Sequence, residues 1–210
     1  MAIGETYEEF VDKFKPKLTT DDCYTPEEVF ETMKKYCYEI GWMNDKTSFI
    51  RPFYPGGDYE HELPKNGEIV FDNPPFSILS KIIDFYNEHN IKFILFAPAL
   101  TVMNLANRGV AIAFFRQSIK FENGANVSTC LITNIEHELI YGLGNIYDEK
   151  SKKKTIYDPG YMTGAALQSL ARKGRYIASY DPKSFKHKTN EGKAYFGGGV
   201  EVKILTQNKL

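Results

Sequence analysis

Cysteine is scarce in this chain of 210 residues: Cys23, Cys37 and Cys130 are an odd number, with no CxxC and no paired spacing. That pattern argues against a disulfide framework or a zinc site and suits reduced thiols in a cytoplasm. Histidine is equally sparse, and His61, His89, His137 and His187 are too scattered to suggest a ligand cluster, so no metal is expected. Positive charge is not in surplus either. With 26 Lys+Arg against 27 Asp+Glu the net charge is −1, so any nucleic acid must meet a local basic patch, not a global field. No apolar run approaches the roughly eighteen residues of a membrane helix. The opening MAIGETYEEF lacks the basic-then-apolar order of a secretory leader. Expected location is therefore the cytoplasm.

Aromatics are what the chain has in quantity: fourteen Tyr and fifteen Phe, serving either as core or as stacking surface. Hydrophobic residues make up 42% and charged residues 25%, ordinary values for a globular protein. The length fits one domain with a full core. We divide it into an N-terminal helical part (1–45), a core sheet (46–145) and a C-terminal loop, helix and strand (146–210). The aromatic surplus and the thiols leave room for a homodimer.

Along the chain, 7–14 reads as a short helix. Thr25, Pro26 and Glu28 form a capping-box signal for a helix to about residue 40, with Val29, Met33 and Tyr36 on one face. Residues 48–53 read as a buried strand entering the turn Tyr54 to Asp58. A strand at 68–72, a helix at 77–89 (Leu79, Ile82, Ile83, Tyr86 inward) and a strand at 91–96 make a βαβ unit with parallel strands. A helix capped by Thr101 and a strand at 110–115 follow. Segments 118–121 and 127–133 flank Asn123-Gly124 as a hairpin. Residues 148–155 read as an exposed loop, 163–173 as a helix and 200–205 as a last strand. The expected class is α/β with a mixed sheet.

Chemistry concentrates at Asn73-Pro74-Pro75-Phe76, directly after strand 68–72. Neither proline offers an N–H, so the ladder must stop there, and the stiff backbone aims the Asn73 amide and the Pro74 carbonyl outward. Phe76 sets a flat apolar face beside these acceptors. Two acceptors beside an aromatic plate suit a planar ring bearing an amine, such as a base drawn out of a nucleic acid stack. Ligands of open α/β sheets sit beyond the carboxyl ends of parallel strands. The turn Pro52-Phe53-Tyr54-Pro55-Gly56-Gly57-Asp58 falls at that edge too. It is either a generic turn or a loop that brings backbone close to a ligand, with Asp58 holding a hydroxyl or an amine. Lys152-Lys153-Lys154 either tracks phosphates or is a solvated loop. Arg172, Lys173, Arg175, Lys183, Lys186 and Lys188, interleaved with Tyr176, Tyr180 and Phe185, are the mixture that stacking plus phosphate contact would use, or plain surface. Gly197-Gly198-Gly199 reads as a clamp or a bulge.

Together these segments resemble the S-adenosylmethionine-dependent adenine-N6 DNA methyltransferases, in particular small versions from phages and mobile elements. The family's signature Asp/Asn/Ser-Pro-Pro-Tyr/Phe/Trp is met by Asn73-Pro74-Pro75-Phe76, and Tyr24-Thr25-Pro26 resembles the Tyr-Thr-Pro that opens many of these enzymes. The resemblance implies a Rossmann-like sheet with a late antiparallel hairpin, S-adenosylmethionine as cofactor, and DNA as partner with an adenine flipped into the pocket. It implies catalytic roles for Asn73, Pro74, Pro75 and Phe76, and a cofactor site built from Tyr24, Thr25, Pro26, Pro52, Phe53, Gly56, Gly57, Asp58 and Asp72. DNA contacts are expected from Lys152, Lys153, Lys154, Arg172, Lys173, Arg175 and Lys186. The chain departs from the family at Arg51, where an acid is usual, and in its adjacent glycines. It has only fourteen residues (59–72) where two further strands normally fit. Either the sheet is trimmed or Asp58, Glu60 or Glu62 takes the place of the ribose-binding acid. A binding protein without catalysis, or methylation of RNA adenine or protein glutamine, are the alternative readings.

Overall fold

The computed structural model describes residues 25–54, 57–120, 126–144, 160–190 and 193–207. The segment 7–14, Tyr24, Gly56, the turn Asn123-Gly124 and Lys152 to Lys154 lie outside these residues.

Helix α1 (Glu27–Glu39) leads into β1 (Phe49–Ile50) and β2 (Ile69–Asp72); α2 (Leu79–Glu88) connects β2 to β3 (Phe93–Pro98). β2 pairs parallel with both neighbours, Ile69 opposite Phe49 and Val70 opposite Phe93, as the βαβ spacing predicts. A 3-10 segment (Val102–Arg108) then leads to β4 (Ala111–Lys120) and β5 (Asn126–Thr133). After these come β6 (Leu139–Leu143), β7 (Gly160–Thr163), α3 (Gly164–Ala171), β8 (Arg175–Asn190) and β9 (Lys193–Gln207). Among the described residues the result is an α/β fold on one mixed nine-stranded sheet, ordered β1-β2-β3-β5-β4-β6-β8-β9-β7.

Every residue of β2 is buried, and alternation divides its side chains between two apolar layers. Val70, with Phe93, Leu95 and Ala97 of β3, packs on Leu79, Ile82, Ile83 and Tyr86 of α2. Ile69 and Phe71, with Ile94 and Phe96, face Phe30, Met33, Tyr36 and Cys37 of α1. Phe71 is the hub of the second layer. Its ring stacks 4.5 Å from Phe30 and 6.2 Å from Phe96, and meets Phe49 edge-on at 5.6 Å.

Three expectations are corrected. The capping box does not form, because Pro26 is the N-cap and its carbonyl takes the N–H groups of Val29 and Phe30, while Thr25 turns inward. The hairpin does not close the sheet. β5 returns between β3 and β4, and β4 then pairs parallel with β6, so the sheet continues for four more strands. The expected strands 110–115 and 118–121 are one strand, β4, bent by an irregularity between Phe114 and Ser118. In the short stretch 59–72 no strand forms before β2, and β1 pairs directly with β2. Among the described residues no helix is long and apolar enough to cross a membrane.

Candidate active site

Because β1, β2 and β3 run parallel, Ile50, Asp72 and Pro98 end at one edge of the sheet. Three segments leave that edge together, beginning at Arg51, Asn73 and Ala99. Asn73 to Phe76 breaks the ladder as the two prolines require. Pro75 holds φ −56° and ψ 118°, extended, and Phe76 opens a single 3-10 turn (Phe76–Ile78) before α2. Phe76 is half-buried, leaning on the α1 layer.

Asp72 ties the first loop to the second strand. It is 3% exposed, and its Oδ2 accepts the Phe53 backbone N–H at 2.8 Å while Oδ1 accepts the Arg51 Nε–H at 3.3 Å. Burial pushes its carboxyl above the ordinary value, although the N–H groups of Phe53 and Asn73 and the Arg51 charge pull the other way. A carboxyl raised in this way is favoured by folding in its protonated form. The fold is therefore relatively more stable below the unfolded pKa of about 3.9, and loses that increment as pH rises through the folded pKa. We expect the stability gap between Asp72→Asn and the parent to shift in favour of Asn over that window and to stay flat above it. Urea unfolding at a series of pH values measures the gap. A shift in favour of the parent would contradict the assignment.

A cleft of about 450 Å³ opens beside this carboxylate, lined by Thr25, Pro26, Glu27, Arg51, Phe53, Tyr54 and Asp72. Thr25, Pro26, Phe53 and Asp72 of the expected cofactor residues thus meet in one place. Pro52 instead faces a neighbouring hollow of about 490 Å³, with His61 and Lys65. Gly57 closes the loop from behind. Its N–H donates to Tyr54 O at 2.7 Å, and a Cβ there would fall 2.4 Å from the Pro52 carbonyl oxygen, so only glycine fits.

The three acids offered for a ribose are used elsewhere. Asp58 bonds His61 Nδ1 at 2.8 Å, which draws its carboxyl below the ordinary range. Glu60 accepts the Tyr59 hydroxyl, and Glu62 the Tyr54 hydroxyl. None of the three lines the cleft beside Asp72, where the acids are Glu27 and Asp72. Sequence reasoning did not single out Glu27, and took Arg51 only as a departure from the family pattern. The usable signal was that Glu27 directly follows Tyr24-Thr25-Pro26.

Buried polar side chains are normally hydrogen-bonded, and the exceptions mark places built for something else. Four such atoms lack a partner among the described residues: Thr25 Oγ1, Asn73 Oδ1, Tyr86 OH and Gln168 Nε2. Three of the four surround Asp72. Thr25 lines the cleft with it, Asn73 follows it in the chain, and its charge joins burial in pushing the Tyr86 hydroxyl up.

Arg172 and Lys173 are exposed at the end of α3, and Lys183 and Lys186 are exposed on β8. Arg175 packs inward instead, 3.6 Å from Glu39 and over the Tyr36 ring at 5.4 Å. Tyr176 and Tyr180 cannot stack on bases. Alternation along β8 turns both into the core, where their hydroxyls donate to Leu167 O and Val110 O. Among the described residues no cluster of His, Cys, Asp and Glu has the arrangement of a metal site.

Compared with known proteins, the chain matches no family model, no curated protein and no solved structure.

Proposed function

We propose that this protein transfers a methyl group from S-adenosylmethionine to the N6 amine of adenine in DNA. The observation that carries the reading is the buried Asn73 Oδ1, unpartnered among the described residues, on a proline-stiffened turn next to the cleft at the carboxyl edge of parallel strands. An acceptor left unsatisfied in the folded chain costs stability, and that cost is recovered when a donor N–H arrives. The parallel strands β1, β2 and β3, with β5 running antiparallel beyond them, agree with a trimmed Rossmann-like methyltransferase sheet.

The orphaned Thr25 Oγ1 and the tight Gly57 turn fit a cofactor in the cleft, held by Thr25, Pro26, Phe53 and Asp72. S-adenosylmethionine supplies, when bound, a methyl carbon on a positively charged sulfur, a good electrophile. The chain's own part is orientation. Asn73 Oδ1 and the Pro74 carbonyl accept the two N–H bonds of the adenine amine, so its lone pair is held out of conjugation and directed at the electrophile. The N–C bond forms as the S–C bond breaks with its electron pair going to sulfur, and the amine then yields one proton to water. Phe76 stacks on the flipped base. No acid or base of unusual strength is required.

The test is transfer of a labelled methyl group to separate pools of DNA, RNA and protein. Label in DNA is expected; label confined to RNA or protein would overturn the DNA assignment and keep the amine chemistry.

A further inference from the structure

We infer that Arg51 and Glu27 form a clamp for a zwitterion, the α-amino acid end of the cofactor, with the guanidinium taking the carboxylate and Glu27 the ammonium. This rests on the proposed cofactor reading and concerns two residues that the family pattern does not supply.

Arg51 is held on two sides and open on the third. Its Nε–H points to Asp72 Oδ1 at 3.3 Å, and its guanidinium carbon lies 3.8 Å from the centre of the Phe30 ring. Salt bridge and stacking together fix the plane of the fork. The remaining edge faces Glu27, with Nη1 to Oε2 at 3.4 Å, a long contact to a side chain that is 72% exposed. Pairs of that kind contribute little, so a better anion displaces Glu27 at small cost. An α-carboxylate is such an anion, because it can accept from a fixed guanidinium through both oxygens. Glu27, once displaced, is an acceptor with nothing to hold, on the rim of the same cleft. An ammonium two bonds from the carboxylate would fill that place.

Charge balance points the same way. Among the described residues the cleft carries the carboxylates of Glu27 and Asp72 and the cation of Arg51, a net of −1. A ligand with one carboxylate, one ammonium and one sulfonium carries +1. Buried or half-buried charges favour a partner that neutralises them. Thr25, on the same wall, adds a buried hydroxyl without a partner among the described residues, able to donate to the carboxylate or accept from the ammonium. An acid at position 51 would repel the carboxylate, so the arginine changes which end of the zwitterion this loop holds.

Calorimetric titration of the full chain with S-adenosylmethionine and with its decarboxylated analogue tests the clamp without a variant and without turnover. The analogue should bind about ten- to a hundredfold more weakly. Arg51→Gln should weaken S-adenosylmethionine by a similar factor and leave the analogue unchanged, and Glu27→Gln should weaken both. Equal affinities of the parent for the two ligands, or an Arg51→Gln variant that weakens both alike, would overturn the clamp while leaving the cofactor reading intact. No binding of S-adenosylmethionine to the parent would overturn both.

Discussion

Replacing Asn73 with alanine should reduce methyl transfer by about a hundredfold or more and leave folding and cofactor affinity close to the parent's. The asymmetry follows from what Asn73 touches. Its Oδ1 has no partner among the described residues, so truncation breaks no hydrogen bond there and removes a buried polar atom that was costing stability. Folding therefore loses little. Turnover loses the acceptor that directs the amine, and the backbone carbonyl of Pro74 cannot orient both N–H bonds alone. Asn73→Asp should be impaired as well, though less, because a carboxylate keeps the acceptor and adds a second negative charge beside Asp72. Steady-state rates with calorimetric affinity and a thermal midpoint for each variant separate the cases. A large drop in midpoint with Asn73→Ala would show that the residue holds the fold and not the substrate.

Phe71→Ala should have the opposite profile. Phe71 is fully buried between Phe30 and Phe96, with Phe49 against its edge, and it immediately precedes Asp72 and Asn73. Loss of a buried phenyl in such a cluster costs about 3–5 kcal/mol, the transfer term plus the cavity that the stiff sheet cannot close. That is a large part of the total stability of an ordinary domain. Urea unfolding should show the midpoint fall with the slope unchanged. Any activity lost should return under conditions that restore folding. A cost under about 1 kcal/mol would mean that the α1 layer collapses onto β2 more easily than this packing implies.

The parts of the fold legible in the sequence are those where burial and local signal agree. Strand 68–72, the stripe Leu79, Ile82, Ile83 and Tyr86, and the apolar 91–96 each satisfy period and length at once, so the parallel pairing of β2 with β3 followed from them. The Asn-Pro-Pro-Phe corner was legible for the same reason: two prolines can only end a buried strand. Elsewhere a local signal was outweighed by tertiary geometry. Thr25 has the chemistry of a cap, but Pro26 takes that position and the Thr25 hydroxyl is buried instead. β8 carries a period-two signal in Tyr176, Ala178 and Tyr180, hidden by Pro182 and by lysines that read as patch. Within the site, Glu27 and Arg51 come from elements far apart in sequence and meet only because α1 begins at the edge where β1 ends.

The central claim is that an adenine amine is methylated at the Asn73 turn. Its most direct test incubates duplex DNA with the purified protein and S-adenosylmethionine carrying a deuterated methyl group, followed by nucleoside mass spectrometry. The account predicts N6-trideuteromethyladenine that accumulates with time and falls to background with Asn73→Ala. Cofactor bound by the protein with no deuterium on adenine N6, or equal incorporation by the variant, would contradict it.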